Sequence, residues 1–198
     1  MRTVAGLFGL LAGVALAQPP ADGVRYGIRA YPDQFPNATP KAAVETAIDL
    51  IARDRLDYLA AHLLDPAFVD AKVADRARRA EEAVERELRL LRDIQRQDRT
   101  LPGDARLPDD PQRFADRVRA EATARGFRQL VADVRRTLSD NPDHLKDLRR
   151  FLRAGQLLEA GDTASLSLAA EKGRAVYLKK TAAGWHLEDR RTDPTEKQ

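Results

Sequence analysis

The sequence predicts an α+β domain, with helices first and a sheet last. Two observations carry that expectation. From Thr39 to Arg153 the apolar residues recur at three- and four-residue steps, the period of one helix face. After Gly155 the period shortens to two, and turns arrive every few residues at Gly161-Asp162, Glu171-Lys172-Gly173 and Ala183-Gly184. That is the pattern of a small antiparallel meander. N-terminal helices and a long helical middle would pack on this C-terminal sheet.

The chain begins with an export-type segment. Arg2 supplies a positive charge, Val4 to Leu16 is an apolar run, and Ala15-Leu16-Ala17 places small residues before a cut at Gln18. Thirteen apolar residues fall short of the ~20 that span a bilayer, so 1–17 reads as a signal peptide and the chain from Gln18 as exported, periplasmic or extracellular. No stable membrane span is expected after cleavage. Residues 18–38 read as an extended arm, broken by Pro19, Pro20, Pro32 and Pro36. Within it, Val24–Tyr31 alternates weakly, as a short edge strand does. Asn37-Ala38-Thr39 matches a glycosylation sequon.

Residues 39–190 form one expected α+β domain. Thr39-Pro40 opens a helix, with Thr as cap and Pro at the first helical position. Val44, Ala47, Ile48 and Ile51 give its buried face, and it runs to about Asp54. After a break at Arg55-Leu56-Asp57, a second helix carries Tyr58, Leu59, His62, Leu63 and Leu64. Pro66 stops it, and Ala67–Val69 is a short link. Residues 70–99 then read as a long amphipathic helix. Its apolar face runs from Val73 to Leu91, and acid-to-base pairs at i,i+4 (Asp75–Arg79, Glu82–Arg86, Glu85–Arg89) make its other faces solvent-facing. Thr100–Pro111 is a proline-rich loop in which Asp109-Asp110 acts as a helix-start acid pair.

Gln112–Leu138 is helical, and Gly126 marks a kink or break. Asn141-Pro142-Asp143 is a capped turn before a short helix over His144–Arg153, which Gly155 ends. Four strands follow, over Leu157–Glu159, Thr163–Ala169, Arg174–Thr181 and Trp185–Glu188, and residues 191–198 are a polar tail.

Two stretches resemble the NTF2-like superfamily, in particular its secreted bacterial lumazine-binding-like and DUF4878-type domains. One is Ala38-Thr39-Pro40-Lys41-Ala42-Ala43-Val44 followed by Asp57-Tyr58-Leu59. The other is Gly161-Asp162-Thr163-Ala164-Ser165-Leu166 with Gly184-Trp185-His186-Leu187-Glu188. The resemblance implies a curved antiparallel sheet wrapped around the first helices as a cone with a pocket. The helical stretch 70–153 departs from it as an elaboration. The fold hosts isomerases, dehydratases and binding modules alike, so it assigns no activity.

Composition excludes several chemistries. There is no Cys, which removes thiol catalysis, disulfides and His/Cys zinc sites. The pI is about 9.3, yet the net charge is only +3, acids and bases interleave, and aromatics are 6%. No nucleic-acid interface is expected from that distribution. Ser139, Ser165 and Ser167 lie in no Gly-x-Ser-x-Gly context, and there is no Gly-rich phosphate loop. No catalytic residue, metal ligand or cofactor is assigned.

The candidate pocket-lining residues are Tyr58, His62, Tyr177 and Trp185. A His62–Asp pair would serve proton transfer only if the fold brought Asp57 or Asp65 to the ring. His186 lies next to Trp185 on a strand, so alternation turns it outward to solvent when Trp185 faces the core. The functional expectation is a non-catalytic binding or interaction module, with an unknown protein partner or a small hydrophobic ligand. The alternative is a carrier or enzyme using an NTF2-like pocket. Self-association through the Val73–Leu91 face is a further expectation.

Overall fold

The computed structural model describes residues 23–96, 111–171 and 174–190. The segment expected to be a signal peptide, the Asp109-Asp110 pair and the expected polar tail lie outside the described residues. The arm folds as a two-stranded antiparallel ladder, β1 (Val24–Arg25) and β2 (Ile28–Arg29). Helix α1 (Pro40–Ala52) follows, then α2 (Leu56–Tyr58), which continues as a π-helical turn over Leu59–Leu63. Two long helices, α3 (Pro66–Arg96) and α4 (Pro111–Asp140), lie against each other, and α5 (Asp143–Ala154) leads to the sheet. The sheet is a meander in the order β3 (Gln156–Ala160), β4 (Thr163–Ser167), β5 (Ala175–Thr181), β6 (Gly184–Leu187). The chain is α+β, as expected.

Local signals place the start of α1. Thr39 Oγ1 accepts the Ala42 N–H at 3.2 Å, and Pro40 sits in the first turn. The boundary at Pro66 has a different cause from the expected one. Pro66 begins α3, with Asp65 as the cap: its side chain accepts the Ala67 N–H and its carbonyl accepts the Val69 N–H. Ala67–Val69 is therefore the first turn of a helix, not a link. The Asn141–Asp143 turn carries no side-chain cap on α5.

Helix α4 is unbroken at Gly126. A Cβ there would stand 2.9 Å from the Val73 carbonyl of α3, so the glycine serves close helix packing and ends no helix. Val73 and Ala77 are buried, as are Ala122, Phe127 and Leu130 of α4. The N-terminal part of the expected self-association face is thus covered within the chain, and the side chains of Leu88 and Leu91 lie outside the described residues. Arg76 clamps the same pair of helices by bonding Asp133 at 2.6 Å. On α3 the expected Glu85–Arg89 pair forms at 3.2 Å, whereas Arg78 reaches both Asp75 and Glu82.

The core has two parts. Ala43, Val44, Ala47 and Leu50 of α1 pack with Leu59, Leu63, Ala164, Leu178 and Trp185. Ala60 and Ala61 pack with Val69, Val73, Phe127 and Leu130. The π turn is the seam between them. Its Leu64 N–H bonds the Leu59 carbonyl at 3.0 Å, an i→i−5 step. The wider turn buries Leu59 and Leu63 on one side and Ala60 and Ala61 on the other, and it leaves His62 between the two. Such single π turns often occur at functional positions.

One edge of the sheet is sealed. Leu64 bridges Leu187, the Asp65 N–H bonds the Leu187 carbonyl at 2.8 Å, and the Trp185 N–H bonds the Asn37 carbonyl at 2.8 Å. The opposite edge is β3, where Leu158 is exposed.

Candidate functional site

A cavity of about 640 Å³ opens where the arm, the π turn and the β5–β6 turn meet. Its size lies within the range of small-molecule sites. Phe35, Tyr58, Ala61 and Leu63 give it apolar wall, while His62, His186, Asp65, Asp70, Arg25 and the Lys179–Thr181 strand end give it polar wall.

Each polar group is placed by a local cause. Tyr58 and His62 are one helical turn apart, and their rings lie 4.7 Å from centroid to centroid. The Tyr58 hydroxyl accepts the Tyr31 N–H at 2.9 Å, and its ring meets Phe35 at 4.5 Å. Burial raises the Tyr58 pKa, so it stays a neutral hydroxyl with its own hydrogen available to donate. His62 Nε2 lies 3.0 Å from the Ile28 carbonyl. A carbonyl only accepts, so Nε2 carries the hydrogen and Nδ1 is a bare acceptor. Burial lowers the His62 pKa, the Ile28 carbonyl opposes this, and Arg25 reinforces it.

Arg25 is fully engaged. It donates to the Ala61 carbonyl at 2.7 Å and forms an ion pair with Asp70. Asp70 also accepts the Tyr26 hydroxyl at 2.6 Å. Tyr26 stacks flat on Phe127, with centroids 4.5 Å apart and planes 9° apart. That stack docks the arm onto α4.

His186 overturns the expected outward placement. It is 2% exposed, beside Trp185 at 3%. Alternation holds, with Trp185 in the α1 core, but the far face of β6 is not solvent: His62 and Asp65 of the π-turn segment lie close enough to act on the ring, which lines the cavity. Burial holds the His186 pKa down to about 4, the Asp65 carboxylate and the His62 carbonyl pull it up, and Arg25 and the His62 ring oppose them. Nε2 lies 2.9 Å from Thr181 Oγ1, while the buried Nδ1 has no hydrogen-bond partner.

Of the residues expected at a pocket, Tyr58 and His62 line the cavity. Trp185 is core filling against α1, with Lys180 over its ring at 5.9 Å. Tyr177 shares the Lys179 and His186 face of the sheet but sits under Arg190 and does not line the cavity. Asp65 acts on His186 and caps α3, whereas Asp57 pairs with Arg55, so neither makes a proton-transfer pair with His62. Sequence reasoning missed His186 and Lys179 as wall residues; their alternation was legible, but not what would cover that face. The third histidine, His144, lies on α5 and does not line the cavity.

Among the described residues no group of three or more side chains has the makings of a metal site, and no helix is long and apolar enough to cross a membrane. No family model, curated protein or solved structure matches the chain.

Proposed function

We propose that the chain is a small-molecule-binding module whose ligand occupies the cavity between the arm, the π turn and the β5–β6 turn. The observation that carries this is the cavity itself: about 640 Å³, its wall part apolar at Phe35, Tyr58 and Leu63 and part polar at Arg25, His62, Asp65, Lys179 and His186. Binding is favoured over turnover because His62, whose Nδ1 is left an acceptor, has no carboxylate bonded to it among the described residues: Asp57 pairs with Arg55 and Asp65 caps the start of α3. A general base is ordinarily oriented by a third group bonded to it.

The NTF2-like cone is part of the same proposal. It is supported by α1 lying against the sheet through Ala43, Val44, Ala47 and Leu50. Export rests on the apolar run Val4–Leu16 and the small residues before Gln18.

The test is a thermal-shift screen of the chain from Gln18 against small metabolites, run beside His62→Ala. A ligand at a hundred times its Kd adds about 2.7 kcal/mol to stability, which moves the melt by several degrees. Hits that vanish in His62→Ala support the pocket. Hits retained unchanged in the variant, or none at all, overturn it.

A further inference from the structure

On the sheet side of the cavity stands a cation, Lys179, that forms no ion pair among the described residues. Lys179 sits on the cavity wall, half-buried. Its direct neighbours across the sheet are His186 on β6 and Thr163 on β4. Along its own strand the residues on the same face are Tyr177 and Thr181. His186 is neutral at pH 7, since burial holds its pKa at about 4. None of these neighbours supplies a negative charge.

The nearby acids have other partners. Asp70 is bonded by Arg25 and Tyr26, and Glu188, diagonal to Lys179, receives Arg190 on Oε1 at 2.9 Å. Asp65 caps α3 through the Ala67 N–H and keeps its charge on the wall, so Arg25, Lys179 and Lys180 face two carboxylates, Asp65 and Asp70. Lys180, next in the chain, lines the same cavity and covers the Trp185 ring. A second donor stands on the apolar part of the wall: the Tyr58 hydroxyl accepts from Tyr31 and has its own hydrogen to give. The cavity therefore offers donors and positive charge in excess of acceptors, beside an apolar wall.

We propose that the cavity takes a monocarboxylate with an apolar body, its carboxylate on the Lys179 ammonium at the sheet end and its body against Phe35, Tyr58 and Leu63. This rests on the small-molecule reading above and names the ligand class. A carboxylate supplies the counter-charge that Lys179 lacks among the described residues, and charge-assisted hydrogen bonds are the stronger kind. A neutral head group would leave the half-buried ammonium unpaired.

The test is isothermal titration of decanoate, cinnamate and 2-naphthoate against the matched neutral compounds decanol, cinnamyl alcohol and 2-naphthalenemethanol. It is run on the chain from Gln18 and on Lys179→Met, which keeps the apolar stem. At least one acid is expected to bind about tenfold or more tighter than its alcohol. Lys179→Met is expected to erase that preference while leaving the alcohol unchanged, and added salt to weaken the acid alone. Alcohols that bind as well as acids, or a preference that survives Lys179→Met, overturn the carboxylate assignment and leave the pocket standing. If neither acids nor alcohols bind, the carboxylate assignment falls; a flat metabolite screen besides removes the pocket reading as well.

Discussion

The imidazole Nε2 of His186 and the hydroxyl of Thr181 meet at 2.9 Å, and that contact anchors the buried ring to the end of β5. Thr181 Oγ1 already accepts the Ala183 N–H at 3.1 Å. Its own hydrogen has two destinations, the Gly184 carbonyl at 3.5 Å and His186 Nε2 at 2.9 Å. The nearer acceptor takes it, since 3.5 Å is beyond good hydrogen-bond geometry. With Nε2 met by Thr181, the neutral ring is held buried against the His62 and Asp65 segment.

That arrangement makes stability fall with acid. The His186 pKa is about 4 in the folded chain and about 6.5 when unfolded. Between those values the unfolded chain binds the extra proton, so folding stability rises with pH there. The contribution is fully present above about pH 6.5, drains away down to about pH 4, and amounts to on the order of 3 kcal/mol. Urea denaturation of the chain and of His186→Gln at pH 7.5, 6, 5 and 4 checks it. The substitution is expected to flatten the slope between pH 6.5 and 4. An equal slope in both proteins would show that other groups carry it.

Gly126→Ala sets two effects against each other. Alanine is better than glycine inside a helix by about 1 kcal/mol. Its Cβ, however, would lie 2.9 Å from the Val73 carbonyl and 3.3 Å from Arg76 Cβ. Backbone oxygen does not yield as a side-chain tip does, so α3 and α4 must separate, and overpacking of this kind costs about 1–3 kcal/mol. The net change is expected to be destabilising, by about 1 kcal/mol or more. A variant that melts higher than the parent would mean the helices part without cost.

Gly126 also shows where the sequence stops being legible. The cap at Thr39 and the strand turns are local, so both were readable from a few residues. The glycine's reason lies on another helix, at Val73, and local propensity alone turns it into a kink. The π turn is of the same kind. Leu59–Leu63 has an ordinary helical composition, and its i→i−5 bond arises because two separate cores pull on its opposite sides. Tyr58 and His62 were legible as neighbours one turn apart. The cavity beside them was not, because the arm and the β5–β6 turn that build it come from the two ends of the domain.

The arm is expected to hold by its aromatic stack more than by its hydrogen bond. Tyr26 has a left-handed backbone at φ 53°, strain on the order of 1–3 kcal/mol for a residue that is not glycine. Phe127 is buried and lies flat against its ring. Phe127→Ala is expected to cost about 3–5 kcal/mol, as buried phenylalanines do. Tyr26→Phe keeps the stack, and Asp70 retains Arg25, so about 1 kcal/mol is expected. Equilibrium urea unfolding of both variants decides the order. A larger loss in Tyr26→Phe would make the Asp70 bond the main clasp.

Asn37 and Gly184 form a coupled pair, and a double-mutant cycle should reveal it. Asn37 was readable as a glycosylation sequon, but its amide is packed under the β5–β6 turn, where Nδ2 donates to the Ala183 carbonyl at 3.2 Å. Gly184 has φ +115°, and a Cβ there would fall 2.5 Å from Asn37 Oδ1. Gly184→Ala therefore carries two costs, backbone strain and a clash with the amide. Asn37→Ala removes the amide and the clash but not the strain, and on its own it forfeits the bond to the turn. The double variant is expected to be more stable than the sum of the single losses predicts, by about 0.5–3 kcal/mol, the usual size for residues in contact. Strict additivity in urea melts would mean that the turn simply swings away from Asn37. In that case the seal this segment makes over the Trp185 edge of the sheet would be loose enough to open the cavity from that side.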